Sequence, residues 1–123
     1  MVIFTFVNMI RKEIINWAKL NLVNNGATVF RAEINNHISF SNSGIKEAIN
    51  QPHNHYHEKN LAIKDILILL EQAKYEGNAV DVKNRCLRFH YFKTTINNDE
   101  SFIVVKENYD DTFKFYSIVD HIK

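Results

Sequence analysis

Three runs rich in aromatic and β-branched residues fill the end of the chain, at Cys86 to Ile96, Ser101 to Asn108 and Thr112 to Ile118. The polar turns Asn97 to Glu100 and Asn108 to Asp111 separate them. Runs of this kind joined by short polar turns predict a three-strand antiparallel meander. Such a sheet must bury one face against another layer, and the helical patterns upstream supply that layer.

Upstream, Phe4, Val7, Ile10, Ile14, Trp17, Ala18 and Leu22 recur at spacings of three and four, the period of an amphipathic helix. Asn24, Asn25 and Gly26 end it in the manner of a left-handed cap. Short extended pieces are expected at Thr28 to Ile34 and at Ile38 to Phe40, then a turn at Ser41 to Gly44 and one or two helical turns up to Ile49. Pro52 stops that segment, because the residue before a proline avoids the helical region. From Asn54 to Tyr75 the pattern predicts one helix, with Ile63, Ile66, Leu67, Leu70 and Ala73 on its apolar stripe and Glu76 to Asn78 closing it. One Pro and three Gly leave little punctuation in 123 residues. The expected fold class is therefore α+β, with helices packed on a curved antiparallel sheet. It is expected as a single domain over residues 1–123, an N-terminal helix at 1–25 leading into a core at 26–123.

Charge narrows the functions open to such a chain. Fifteen Lys and Arg stand against fourteen Asp and Glu, a formal net charge of +1, so whole-chain charge gives no general attraction to phosphate. A local basic face stays open. The one cysteine, Cys86, excludes an internal disulfide framework and a Cys-rich zinc site, and reads as a small core residue. The apolar start, Met1 to Met9, has no basic residues ahead of it and is interrupted by Arg11, Lys12 and Glu13, unlike a signal peptide. No stretch approaches the roughly 18 apolar residues of a membrane span. A cytoplasmic protein without membrane association is the expectation.

The most unusual segment, Pro52 to Asn60, holds His53, His55 and His57. On a strand the three would share a face and could hold a metal ion. On a helix, residues two apart point about 200° from each other and cannot chelate together. With a helix beginning near Asn54, no tight metal site and no cofactor are expected. His55 and Lys59, at i and i+4, instead extend the apolar stripe to the helix N-terminus. There they could meet a phosphate, or simply lie beyond the core with Lys59 stretched towards water. In the first long strand, alternation puts Leu87, Phe89 and Tyr91 on one face and Arg88, His90 and Phe92 on the other. The first set makes the better core. That leaves Arg88 and His90 on an open face beside an aromatic ring, as RNA contact requires. The last strand has large apolar groups in both alternating sets, and its faces stay unassigned.

The chain from about Ile34 to Ile118 resembles the large polyvalent protein-associated domains of phages and conjugative elements, in the branch grouped with barnase, EndoU, colicin-type and RelE-like nucleases. The segments that carry the likeness are Ser43 to Ala48, His53 to Lys59, Ala62-Ile63, Leu69 to Tyr75, Phe89 to Phe92, Ile103 to Asn108 and Phe115 to Ile118. The resemblance implies helices followed by a curved antiparallel sheet. It also implies a metal-independent endoribonuclease, acting on RNA as a toxin or mobile-element effector, with a cognate immunity or antitoxin protein as a further partner. In that chemistry a base activates the ribose 2′-OH, a cation steadies the phosphoryl oxygens and an acid protonates the departing 5′-oxygen. The positions matching the family's catalytic residues are His55 with Lys59, His90, and Tyr116 with Ser117; Arg85, Arg88 and Phe92 would bind substrate. Barnase-type members use a strand Glu as base, and the central strand here offers none, which leaves the base to a histidine. The resulting expectation is that His55, Lys59 and His90 converge on one cleft at the end of the last strand. The alternative, an inactive module of the same fold that binds protein or nucleic acid, stays open.

Overall fold

The computed structural model describes residues 2–122, with side chains from Ile10 onward. Helix α1 (Val2–Ala18) runs on through a wider π turn at Lys19–Val23. The left-handed residue is Gly26, at φ +64°, and the Ala27 N–H returns to the Leu22 carbonyl, closing the helix as the sequence predicts. Strands β1 (Val29–Arg31) and β2 (Asn36–Ser39) form a short antiparallel hairpin. Helix α2 (Asn42–Asn50) follows, capped by the Ser41 hydroxyl, which accepts from the Gly44 N–H.

The helix expected over Asn54 to Tyr75 is broken into three pieces. Helix α3 (Tyr56–Leu61) passes through a 3₁₀ turn at Ala62–Asp65 into α4 (Ile66–Gln72). Asp65 leaves helical backbone angles at φ −110° and ψ 15°, which resets the phase of the stripe. Ile63, Ile66, Leu70 and Ala73 are buried as expected, whereas Leu67 turns out to the surface. Tyr75 belongs to a strand, β3 (Lys74–Val80), so the expected helix end is wrong there.

Strands β4 (Arg88–Ile96), β5 (Asp99–Glu107) and β6 (Phe113–Val119) form the expected antiparallel meander, with β3 added at its outer edge. The β4–β5 turn is two residues long, and Asn97 and Asn98 both have positive φ, as a type I′ hairpin requires. Strand order is β1-β2-β6-β5-β4-β3, and among the described residues the one parallel pair joins β2 to β6. The fold is α+β, with the helices on one side of a strongly curled mixed sheet.

The main core lies between the helices and that side of the sheet. Ile14, Leu22, Ile45, Ile49, Ile63, Ile66 and Leu70 meet Phe92, Ile103, Val105, Phe115 and Ile118 there. The opposite side has a smaller cluster of Cys86, Phe89 and Val104, with Tyr91, Tyr116 and Val119 against it. Buried cations close two helix C-termini. Lys59 donates to the Ala48 and Ile49 carbonyls of α2, and Arg31 donates to the Leu70 and Ala73 carbonyls of α4, both at 2.6 Å in the case of Arg31.

Candidate functional site

The expected faces of β4 are exchanged. Arg88, His90 and Phe92 do share a face, but it is the one the helices cover, and Phe92 is fully buried beneath the Arg31 guanidinium. Phe92 is thus a core residue, closed to a nucleobase. His90 is 5% exposed, its Nε2 2.7 Å from Glu107 and its Nδ1 2.9 Å from the Tyr75 hydroxyl. Arg88 lies beside the same Glu107 at 3.6 Å. The physical reason is the unforeseen strand β3: its Tyr75 packs on Phe92 and completes a cover over that side.

The expected convergence of His55, Lys59 and His90 is not found. Lys59 is sealed in the interior with its ammonium on the end of α2, and burial depresses its pKa to about 8. His55 precedes α3, its Nε2 2.5 Å from Asp99 and its Nδ1 3.0 Å from the Asn97 side chain, at the β4–β5 turn. His90 sits six residues back along β4 from that turn, about 20 Å at the usual rise of roughly 3.3 Å per residue. No single phosphate can touch both rings.

The histidine-rich segment works as a latch. His53 reaches the Ser101 hydroxyl at 2.9 Å, the Asn54 N–H donates to Asp120 at 2.9 Å, and burial lowers the His53 pKa. His57 is exposed. Among the described residues no group of three or more His, Cys, Asp or Glu is arranged to hold a metal ion.

The remaining expected residues, Tyr116, Ser117 and Arg85, meet on the open side of the sheet, where they line a groove of about 670 Å³. A bulge opposite Val104–Val105 lets Tyr116 and Ser117 both serve this side, since strict alternation would send them to opposite faces. Phe89 and Tyr91 form its floor, and the Tyr116 ring lies 5.2 Å from that of Phe89. Burial, and then Glu47, raise the Tyr116 pKa above its ordinary value, and burial raises that of Tyr91.

At the loop between β3 and β4, the buried Asp81 carboxylate accepts from the Arg85 N–H, Nε and Nη2, and from the Lys83 and Cys86 N–H groups. Arg85 foremost holds that carboxyl well below the usual range. The guanidinium in turn lies 5.1 Å over the Phe89 ring.

Two groups in the groove were not singled out by sequence reasoning. Glu47, exposed on α2, accepts from the Tyr116 hydroxyl at 3.2 Å. His121 follows β6, with its Nδ1 2.6 Å from Asp120, and lines the same groove. Asp120 is held below the usual carboxylate range, chiefly by the Asn54 N–H. Glu47 did stand inside the quoted Ser43 to Ala48 segment, which was the available signal. His121 had none. Gly44 brings Glu47 to the groove: α2 lies so close to β6 that a Cβ at Gly44 would fall far inside contact distance of the Phe115 carbonyl oxygen.

Residues 7–116 match the family model for large polyvalent protein-associated domain 3. No curated protein and no solved structure matches the chain. Among the described residues no helix is long and apolar enough to cross a membrane.

Proposed function

Because the chain belongs to the large polyvalent protein-associated domain 3 family, and its groove combines a carboxylate, an imidazole and a guanidinium over an aromatic floor, we propose that it is a metal-independent endoribonuclease acting on single-stranded RNA. The observation that carries this reading is that Glu47, His121 and Arg85 line one groove. Bases would stack on Phe89, Tyr91 and Tyr116, which tolerate any sequence because every base has a π face. Arg85 would hold the phosphate.

The Glu47 carboxylate takes the proton of the ribose 2′-OH. The oxygen so freed attacks phosphorus, the bond to the 5′-oxygen breaks, and a 2′,3′-cyclic phosphate remains. His121 in its imidazolium form keeps its Nδ1 proton on Asp120 and gives its Nε2 proton to the departing 5′-oxygen. The base is therefore a helix carboxylate in place of the histidines expected from the sequence, and Tyr116 positions it.

A second reading is a catalytically inactive module that holds a protein or a nucleic acid in the same groove, and the net charge of +1 favours it over a nuclease, since tight RNA binding draws on excess cations. Incubation with single-stranded RNA, with and without chelator, separates the two. Cleavage that survives chelator, leaves a cyclic phosphate and stops at a 2′-deoxy position supports the nuclease. Binding without cleavage supports the second reading with nucleic acid as its ligand, and neither binding nor cleavage defeats the nuclease and leaves a protein as the partner.

A further inference from the structure

Next to the groove, on the α2 side, lies a smaller recess of about 360 Å³. Lys106 and Lys114 line it from directly opposed positions on β5 and β6, and both are half-buried. Like charges facing each other across a strand pair cost stability. Among the described residues neither ammonium forms an ion pair with a carboxylate, although Asp81, Glu107 and Asp120 elsewhere are all engaged by cations or N–H groups. Lys106 lies 5.8 Å over the Tyr116 ring centroid, so a ring that lines the groove also supports this cation. Two carboxylates stand nearby, Glu47 in the lining of the recess and Asp110, held below its ordinary pKa first by Thr112 and also by the Lys114 charge. Glu47 accepts from Tyr116, and Asp110 accepts from the Thr112 hydroxyl and N–H. Ser43 and Asn108 add neutral polar groups to the recess, and the first turn of α2 adds a positive helix end.

A half-buried pair of lysines, neither of them ion-paired among the described residues, leaves positive charge in the recess for an anion that arrives from solution. Glu47 and Tyr116 line both the recess and the groove, so the two are contiguous. We propose that Lys106 and Lys114 form a second phosphate subsite, which takes the phosphate adjacent to the scissile one. This rests on the RNA reading above and sharpens it: the substrate is an internal linkage of a single strand, and a dinucleoside monophosphate, with one phosphate, fills only half of the site.

The probe for the recess itself is inorganic phosphate, titrated at low salt into ¹⁵N-labelled protein. Saturable shifts are expected at the amides of Ser43, Gly44, Lys106 and Lys114, retained in Lys106→Arg and lost in the Lys106→Gln/Lys114→Gln double variant. Removing the like-charge pair should leave the melting temperature unchanged or raised, which guards against loss by misfolding. In cleavage, a trinucleoside diphosphate should exceed a dinucleoside monophosphate in kcat/KM by roughly tenfold or more, and the double variant should erase that advantage. Phosphate shifts that are absent from these amides, or unchanged in the double variant, overturn the subsite. Phosphate binding at the recess together with intact, unbound RNA overturns the nuclease reading and leaves the anion site standing.

Discussion

The Lys59 ammonium donates to the Ala48 carbonyl oxygen at 2.5 Å, at the C-terminal end of α2. It reaches the Ile49 carbonyl at 3.1 Å and stands 4.6 Å from the Tyr56 ring centroid. A helix leaves its last carbonyls without partners inside the helix, and here one buried cation supplies two of the missing donors. Its place in the sequence, at i+4 from a histidine on an apolar stripe, looks equally like a catalytic lysine. Only the neighbouring carbonyls decide between the two.

Replacing Lys59 by Met should therefore lower stability by about 3 kcal/mol, since it leaves buried carbonyls without donors, and should leave RNA binding by the folded protein intact. Chemical denaturation measures the first and a binding titration the second. The pH dependence has a definite sign. The folded-state pKa of about 8 lies below the ordinary lysine value, so the unfolded chain holds the proton more tightly and stability from this residue rises as pH increases above 8. The neutral amine keeps two N–H donors for the carbonyls. The stability gap between wild type and Lys59→Met should accordingly widen from pH 7.5 to pH 10.

Gly44→Ala tests the close approach of α2 to β6. The added methyl would press on the Phe115 backbone, which cannot move without distorting the β5–β6 ladder. A cost of about 1–3 kcal/mol is expected, the range of overpacked interiors. Because the strain pushes out the helix that carries Glu47, any RNA cleavage should fall further than the loss of folded protein explains. An unchanged melting temperature would contradict the close contact.

Much of this fold was legible in the sequence. The meander declared itself because Cys86 to Ile118 combines β-branched alternation with Asn-rich turns, and Gly26 ended α1 where a left-handed residue was due. Strand β3 escaped because Lys74–Val80 contains Gly77 and carries little apolar alternation, so its pairing with β4 is a tertiary matter. The face assignment of β4 failed for a related reason. Alternation says which residues share a face, but which face is covered depends on the partner, and Phe92 with His90 outweighed Phe89 with Tyr91 once Tyr75 and Phe113 were stacked beside them. The same limit hid the groove: Glu47 and His121 are far apart in sequence and line one groove only because α2 packs against β6.

Asp81 holds the β3–β4 loop together through five donors, and Asp81→Asn should loosen that loop and take Arg85 out of register with Phe89. Its folded-state pKa is depressed, so its stabilising contribution is present at neutral pH and is lost as pH falls below the ordinary carboxylate value of about 4. The variant should be less stable than wild type at pH 7, and the two should approach each other as pH drops below 4. Thermal melts across that range measure the gap. A gap that persists unchanged at the lowest pH would mean that shape, not the ionised carboxylate, sustains the loop.

The last prediction concerns the proposed acid–base pair. Glu47 is exposed on α2 and His121 is exposed beyond β6, so Glu47→Gln and His121→Asn should each leave the unfolding free energy within about 0.5 kcal/mol of wild type, as surface changes do. Each should nevertheless reduce RNA cleavage by about 10²–10⁴-fold, the usual contribution of one general acid or base. The double variant should lose much less than the product of the two, because a base without its acid, or an acid without its base, leaves the same step uncatalysed. Tyr116→Phe removes only the hydrogen bond that holds Glu47 and keeps the ring on Phe89, so it should lower kcat while leaving RNA affinity nearly unchanged. A substrate with an activated leaving group at the 5′-oxygen needs no acid, and should restore the His121→Asn variant towards wild type but not Glu47→Gln. Equal rescue of both variants would mean that His121 is not the proton donor.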